Sequence, residues 1–253
     1  MNATITEVTE IPALHHDHDQ AMDVAAVEYR RLLDAVAELG PDDWSRPTDC
    51  AGWDVKAMLG HLLGMLELLG DRAEFGRQVA IAGARAAATG AMRIDALTGL
   101  QVEEHAHLSP EELAAALGAA VPAALAGRNG TTAEERSAPY IPGPPFDEDW
   151  TRGFLLDVVH TRDPWLHRVD MSRATGHEMV LTADHDGRIV ADVVAEWARR
   201  HGKPFTLTLG GPAGRTFVAG GGGEHVELDA IEFCRIVSGR ASGSGLLSQQ
   251  VPF

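Results

Sequence analysis

The 253-residue chain is 45% apolar and 23% charged, ordinary globular proportions that exclude wholesale disorder. Twenty-one Lys and Arg against 37 Asp and Glu leave a net charge of −16, which excludes a non-specific nucleic-acid binder and a partner of anionic lipid, since both need clustered cations. No run of about 18 apolar residues exists to span a membrane, and the opening MNATITEVTEIPALHHDHD lacks the basic start and apolar stretch of a secretion signal, so the expected location is the cytoplasm.

Within that opening, His15, His16 and His18 with Asp17 and Asp19 form a ligand-rich run, read as a solvated leader. Residues 20–39 place Met22, Val24, Ala25, Leu32, Leu33, Val36 and Leu39 mostly on one helical stripe, which Gly40-Pro41 ends. The loop 41–53 carries Trp44 and Trp53, and loops rarely hold two Trp unless these pack onto something. Residues 54–69 predict the clearest helix, with Asp54 as cap and Val55, Met58, Leu59, Leu62, Leu63, Leu66 and Leu69 on one face. The Ala- and Gly-rich 76–92 is helix-permissive, and 93–107 and 110–126 read as helices, the latter opened by Ser109-Pro110-Glu111-Glu112. The Pro-rich 138–149 is a loop. Residues 150–171 are helical by pattern, with Pro164 expected to kink the helix or mark a junction. A further helix over 186–201 precedes three strands at 205–210, 215–220 and 225–229, and a short helix over 230–239. The run 220–223 is expected to be a turn, and the wider Gly-rich 210–223 lacks the Gly-Lys-Ser/Thr ending of a phosphate loop. Helices first and a mixed unit afterwards predict two domains, 1–176 and 177–253.

Cys50 and Cys234 are too few for a disulfide scaffold or a four-thiolate zinc site, but twelve His in an acidic chain draw attention to metals. His61 sits in the middle of the most apolar helix. Alone it reads as a core His satisfied by one hydrogen bond; with further ligands close by it reads as one of a set. His160, Asp163 and His167 follow at i, i+3, i+7. At about 100° per residue they lie at roughly 0°, 300° and 340°, bordering an apolar arc at roughly 160° to 260°. Asp163 is nearest the core face and His160 furthest from it. Asp163 and His167, at i, i+4, can converge on one ion, and His61 from a second helix would complete three N/O ligands with a position left open. A solvated polar edge is the other reading of this stripe. Arg240 is a candidate carboxylate clamp or a surface residue, and Cys50 a small buried loop residue or a neighbour of the site.

The stretches DDWSRPTDCAGWDVKAMLGHLLG (42–64), IDALTGLQVEEHAHLSPEEL (94–113), TRDPWLHRVDMSRATG (161–176) and ELDAIEFCRIVSGRASGSGLL (227–247) together resemble actinobacterial proteins of the mycothiol-dependent maleylpyruvate isomerase family, within the DinB-like superfamily of metal-binding four-helix bundles. The resemblance implies an α+β chain, a DinB-like bundle followed by a small α/β domain. It implies His61, Asp163 and His167 as metal ligands. Asp163 stands where the isomerase carries the longer Glu, so His160 is the reserve ligand. Asp170, three residues after His167, is either the carboxylate that holds that ring or a surface Asp. The implied cofactors are mycothiol and a divalent metal, zinc by ligand type. The implied activity is isomerisation or thiol S-transfer on a small-molecule electrophile such as an unsaturated carboxylic acid. No protein nucleophile is then needed, and the chain shows no Ser elbow. Two other functions fit the same scaffold: a non-catalytic metal-binding protein and a metal-dependent hydrolase.

Overall fold

The computed structural model describes residues 5–146 and 148–253. The fold is α+β, with a helical bundle and a small sheet-containing part. Its contacts divide it into two compact units. One runs from His18 to Glu178, and the other joins the residues up to Asp17 with Met179–Phe253.

The bundle holds α1 (His18–Ala37), α2 (Val55–Gly70), α3 (Arg72–Thr89), α4 (Arg93–His105), α5 (Pro110–Asn129), the short α6 (Ala133–Ser137) and α7 (His160–Thr175). The Asp54 carboxylate caps α2 by accepting from the Ala57 N–H at 2.8 Å. Ser109 and Glu112 form a reciprocal capping box on α5, as the sequence predicted. The helix read as 76–92 starts earlier, because Asp71 accepts from the N–H groups of Ala73 and Glu74 and moves the start to Arg72. The core is the predicted α2 stripe, Val55, Met58, Leu59, Leu62, Leu63 and Leu66, packed with Leu32 and Val36 of α1 and Leu113 and Leu117 of α5. Fully burying one such side chain stabilises by about 1.5–3 kcal/mol. Trp44 belongs to this core and Trp53 packs against it, which accounts for two Trp in one loop.

A π-helical stretch, Phe154–Val159, leads into α7, and Pro164 lies in the second turn of that helix. Proline has no N–H, so the carbonyl of His160 loses its usual i+4 donor. Arg128 Nη1 and the Tyr29 hydroxyl donate to that carbonyl instead, at 3.3 and 3.5 Å. The helix therefore continues through the proline.

In the second unit, α8 (Asp186–His201) and α9 (Ala230–Val237) accompany a sheet of order β1-β5-β4-β6. Its strands are β1 (Ile5–Glu7), β4 (Phe205–Gly210), β5 (Thr216–Ala219) and β6 (Glu224–Asp229), while β2 (Pro139–Tyr140) and β3 (Trp150–Thr151) form a separate small pair in the bundle unit. β5 runs antiparallel to β4, whereas β1 is parallel to β5 and β6 is parallel to β4. Trp197 centres this unit, with Phe205 and Phe233 rings at 4.8 and 5.3 Å. Two expectations are corrected here. The residues before His18 are not a solvated leader throughout: Ile5–Glu7 add a strand to the sheet, and Leu14 is fully buried with its N–H donating to Asp192 Oδ1 at 3.0 Å. The turn expected at 220–223 does not join neighbouring strands, because β4 lies between β5 and β6. It carries the chain past the start of β4, where Gly223 has φ +97° and a Cβ would lie 2.0 Å from the Pro204 carbonyl oxygen. Among the described residues no helix is long and apolar enough to cross a membrane.

Candidate metal centre

α2 carries His61 and α7 carries Asp163 and His167, and the structure brings the three together. His61 Nε2 lies 3.6 Å from Asp163 Oδ2, and His167 Nε2 lies 3.3 Å from Asp163 Oδ1. Both imidazoles are buried, with ring centroids 5.3 Å apart. The Trp53 ring lies beside both, at 5.3 Å from His61 and 6.5 Å from His167. Its loop is shaped by Thr48, whose hydroxyl donates to the Trp53 carbonyl and accepts from the Cys50 N–H.

The far side of each ring is also engaged. His167 Nδ1 is 3.0 Å from Asp170 Oδ2, and His61 Nδ1 is 2.7 Å from Gln101 Oε1. A carboxylate oxygen only accepts, so His167 Nδ1 carries a proton toward Asp170, and Nε2 is the nitrogen that would be left bare for an ion beside Asp163. His61 presents its own Nε2 to the same carboxylate. With no proton on either Nε2, lone pairs would meet at the centre, and a cation between them would satisfy all three groups. Ligands about 2.0–2.2 Å from one ion at tetrahedral angles stand about 3.3–3.6 Å apart; each imidazole lies at such a distance from one oxygen of Asp163, and one ligand atom from each residue lies within 4.8 Å of the others. The residues present therefore fit a divalent ion of the zinc type. In the metal-free protein a proton takes that place. Burial works against charge at both Asp163 and His167, but their attraction outweighs it: Asp163 is held well below the usual carboxylate range and His167 well above the usual imidazole range.

His160 does not join the converging group. Its ring lines a recess next to Asp163, with Tyr29, Leu62, Met65 and Pro164. Burial, aided by the charge of Arg128, lowers its pKa to about 4, so the ring is neutral at pH 7. Asp170 is fully buried on His167 rather than at the surface. Cys50 does border the site: its thiol donates to Asp170 Oδ2 at 3.4 Å and lies 3.8 Å from His167 Nδ1. Arg240 lies in the other unit, on the turn after α9, where its backbone N–H donates to the Arg235 carbonyl. Sequence reasoning missed Gln101 and Gln78, which support His61. It also missed Arg128, although a Pro in mid-helix signals an orphaned carbonyl that some donor must meet.

The family described as "Mycothiol maleylpyruvate isomerase N-terminal domain" matches residues 25–172, which span α2, most of α7 and all three converging ligands. The chain belongs to that family. Among solved structures, one described as the mycothiol-dependent maleylpyruvate isomerase is similar at 16% identity with a TM-score of 0.59, over 94% of each chain. A point variant of that enzyme gives 15% identity and a TM-score of 0.58, over 94% of this chain and 93% of the other. At such identity the likeness speaks for the fold alone. A comparison with curated protein sequences gave no match.

Proposed function

We propose that this family member is a metal-dependent enzyme that uses a low-molecular-weight thiol, mycothiol, to add to an electrophilic small molecule. The outcome is isomerisation of a maleylpyruvate-like unsaturated acid or thiol transfer to it. The observation that carries the reading is the convergence of three acceptor groups at metal-ligand spacing with the outer nitrogen of each imidazole already hydrogen-bonded. The solved relatives are described as mycothiol-dependent, and this proposal extends that dependence to the present chain.

When bound, a divalent ion, zinc by ligand type, supplies Lewis acidity that brings a thiol down from a pKa of about 8.5 so that thiolate forms at neutral pH. His61, Asp163 and His167 would hold the ion and leave a position for an exogenous ligand. Asp170 and Gln101 keep the outer nitrogens protonated, so the inner nitrogens are the ones that would face the ion. Trp53 supplies an apolar wall beside both rings. His160, neutral and lining the adjoining recess, offers a hydrogen bond without a competing charge. The protein acts in the cytoplasm on this reading.

The test is thiol consumption with mycothiol against a panel of α,β-unsaturated acids, with and without zinc, alongside metal analysis. Zinc-dependent loss of thiol, or zinc- and thiol-dependent cis–trans conversion, supports the proposal. One zinc per chain with no turnover of any acid favours a metal-binding protein without catalysis. Zinc-dependent hydrolysis of esters or amides with no thiol requirement favours a hydrolase. Absence of bound metal overturns all three.

A further inference from the structure

The support of His61 runs much further than one hydrogen bond. Gln101 on α4 offers Oε1 to His61 Nδ1 at 2.7 Å, and its Nε2 donates to Gln78 Oε1 at 2.8 Å. Gln78 on α3 donates its own Nε2 to the Gly64 carbonyl at 3.1 Å and to Glu74 Oε1 at 2.8 Å. Both glutamines are fully buried. The chain has a direction. A backbone carbonyl and a carboxylate only accept, so the end of Gln78 that faces them is its NH2 group. Its oxygen then faces Gln101, which must answer with NH2. The oxygen of Gln101 is thereby turned to His61, and Nδ1 must carry the proton. Reversing Gln78 alone would set oxygen against oxygen at the Gly64 carbonyl and Glu74 and NH2 against NH2 at Gln101, and reversing Gln101 alone would set oxygen against oxygen at Gln78 and move the His61 proton to Nε2, at a cost of about 1–3 kcal/mol for each buried group left unmatched.

Gly64 makes this route possible. A Cβ there would lie 2.5 Å from Gln101 Cγ and 2.7 Å from Gln101 Cβ, so a side chain would push Gln101 off α2. One residue thus supplies both the carbonyl that sets the direction and the space through which the chain passes.

We infer that Gln78 and Gln101 form an amide relay, anchored on the Gly64 carbonyl, that fixes His61 with its proton on Nδ1 and its Nε2 bare. They are positioning residues for that imidazole; Gln78 acts without touching it. The relay itself stands on geometry, and its consequence for metal binding rests on the proposed function.

Two measurements test it. In metal-free wild-type protein with the ring neutral, ¹⁵N NMR of His61 reports the tautomer. The relay requires protonated Nδ1, and a ring with protonated Nε2 and bare Nδ1 overturns it with no substitution made. Zinc affinity, by competition with a chromophoric chelator, is then compared across folded variants. Gln101→Leu should weaken zinc by about 10–100-fold, the usual loss for a group that orients a ligand. Gln78→Leu should weaken it by about 3–10-fold and give mixed tautomers, because Gln101 is then free to turn. Gln101→Glu, which keeps an acceptor toward Nδ1, should hold the wild-type tautomer even though its added buried charge changes affinity. Unchanged affinity and tautomer in both Leu variants overturns the inference. A wild-type protein that binds no zinc overturns the proposed function, while its ring tautomer still decides the relay.

Discussion

His61 and His167 offer the same nitrogen to the same carboxylate, yet the groups behind them differ in reach and charge. Behind His167 stands Asp170, three residues further along α7. Behind His61 stand two neutral amides, 40 and then 23 positions away along the chain, on two other helices. Charge gives a reason for the difference. With a divalent ion in place, Asp163 and Asp170 already balance it, and a third buried carboxylate would leave an uncompensated negative charge, which is costly away from water. A neutral amide can orient a ring without adding charge, but it can point either way, so it needs a further partner to choose its direction. A carboxylate needs none. The α7 side is therefore a local device, and the α2 side a device spread over three helices.

The largest effect should come from breaking the centre itself. His61→Ala, His167→Ala and Asp163→Asn should each weaken zinc by about a hundredfold, since affinities of about 10–16 kcal/mol in four-ligand zinc sites amount to about 2.5–4 kcal/mol per ligand. His160→Ala should stay close to wild type, because its ring is outside the converging group. The reverse order for Asp163→Asn and His160→Ala, read by isothermal titration with zinc, would make His160 the ligand.

Next in size is the support of His167. Asp170→Leu should cost about 10–100-fold in zinc affinity, and Asp170→Asn, whose amide oxygen still accepts from Nδ1, distinctly less. If Asp170→Leu costs no more than Gln78→Leu, the contrast between a charged local support and a neutral distant one is lost.

The local half of this arrangement was legible in the sequence, and the distant half was not. Asp163, His167 and Asp170 share one helix at i+3 and i+4 spacing, and a helical wheel shows them on one side. His61 stood out because an ionisable residue on an apolar stripe calls for a partner. The bundle helices were readable for the same reason, from periodicity and caps. Gln78 and Gln101 carry no such mark: a Gln in an Ala-rich helix looks like any solvated polar residue until another helix is packed on it. Ile5–Glu7 escaped notice because three residues show no alternation and their partners, Thr216–Val218, lie at the other end of the chain. The π-helical stretch before His160 has no sequence signature at all, and we have no physical account of why it forms there.

A smaller effect concerns how α7 holds its turn at Asp163. Arg128 Nη1 and the Tyr29 hydroxyl meet the His160 carbonyl that Pro164 leaves without a donor. Pro164→Ala would restore that N–H. In a double-mutant cycle of Pro164→Ala with Arg128→Met, read by chemical denaturation, the Arg128 substitution should cost about 1 kcal/mol less once the proline has been replaced, the worth of one net hydrogen bond. Strict additivity would show that Arg128 serves its other partners, Thr161 and the Tyr29 hydroxyl, and not the proline.

The smallest effect should be at Cys50, and it bears on which thiol does the chemistry. Its Sγ lies 3.4 Å from Asp170 Oδ2, behind His167 and away from the Nε2 that faces Asp163. From there the thiol adds a hydrogen bond to the carboxylate that supports the ring. Serine keeps a donor at that position, so Cys50→Ser should bind zinc as wild type does. Its mycothiol-dependent turnover should stay within about tenfold, or about 1.4 kcal/mol. Cys50→Ala removes the donor and should be somewhat weaker, because Asp170 then accepts from His167 without that second donor. Cys234 is fully buried in the other unit and is expected to affect stability alone. If Cys50→Ser instead abolishes turnover while zinc stays bound, the nucleophile is a protein thiol, and Asp170 would be the group that accepts its proton.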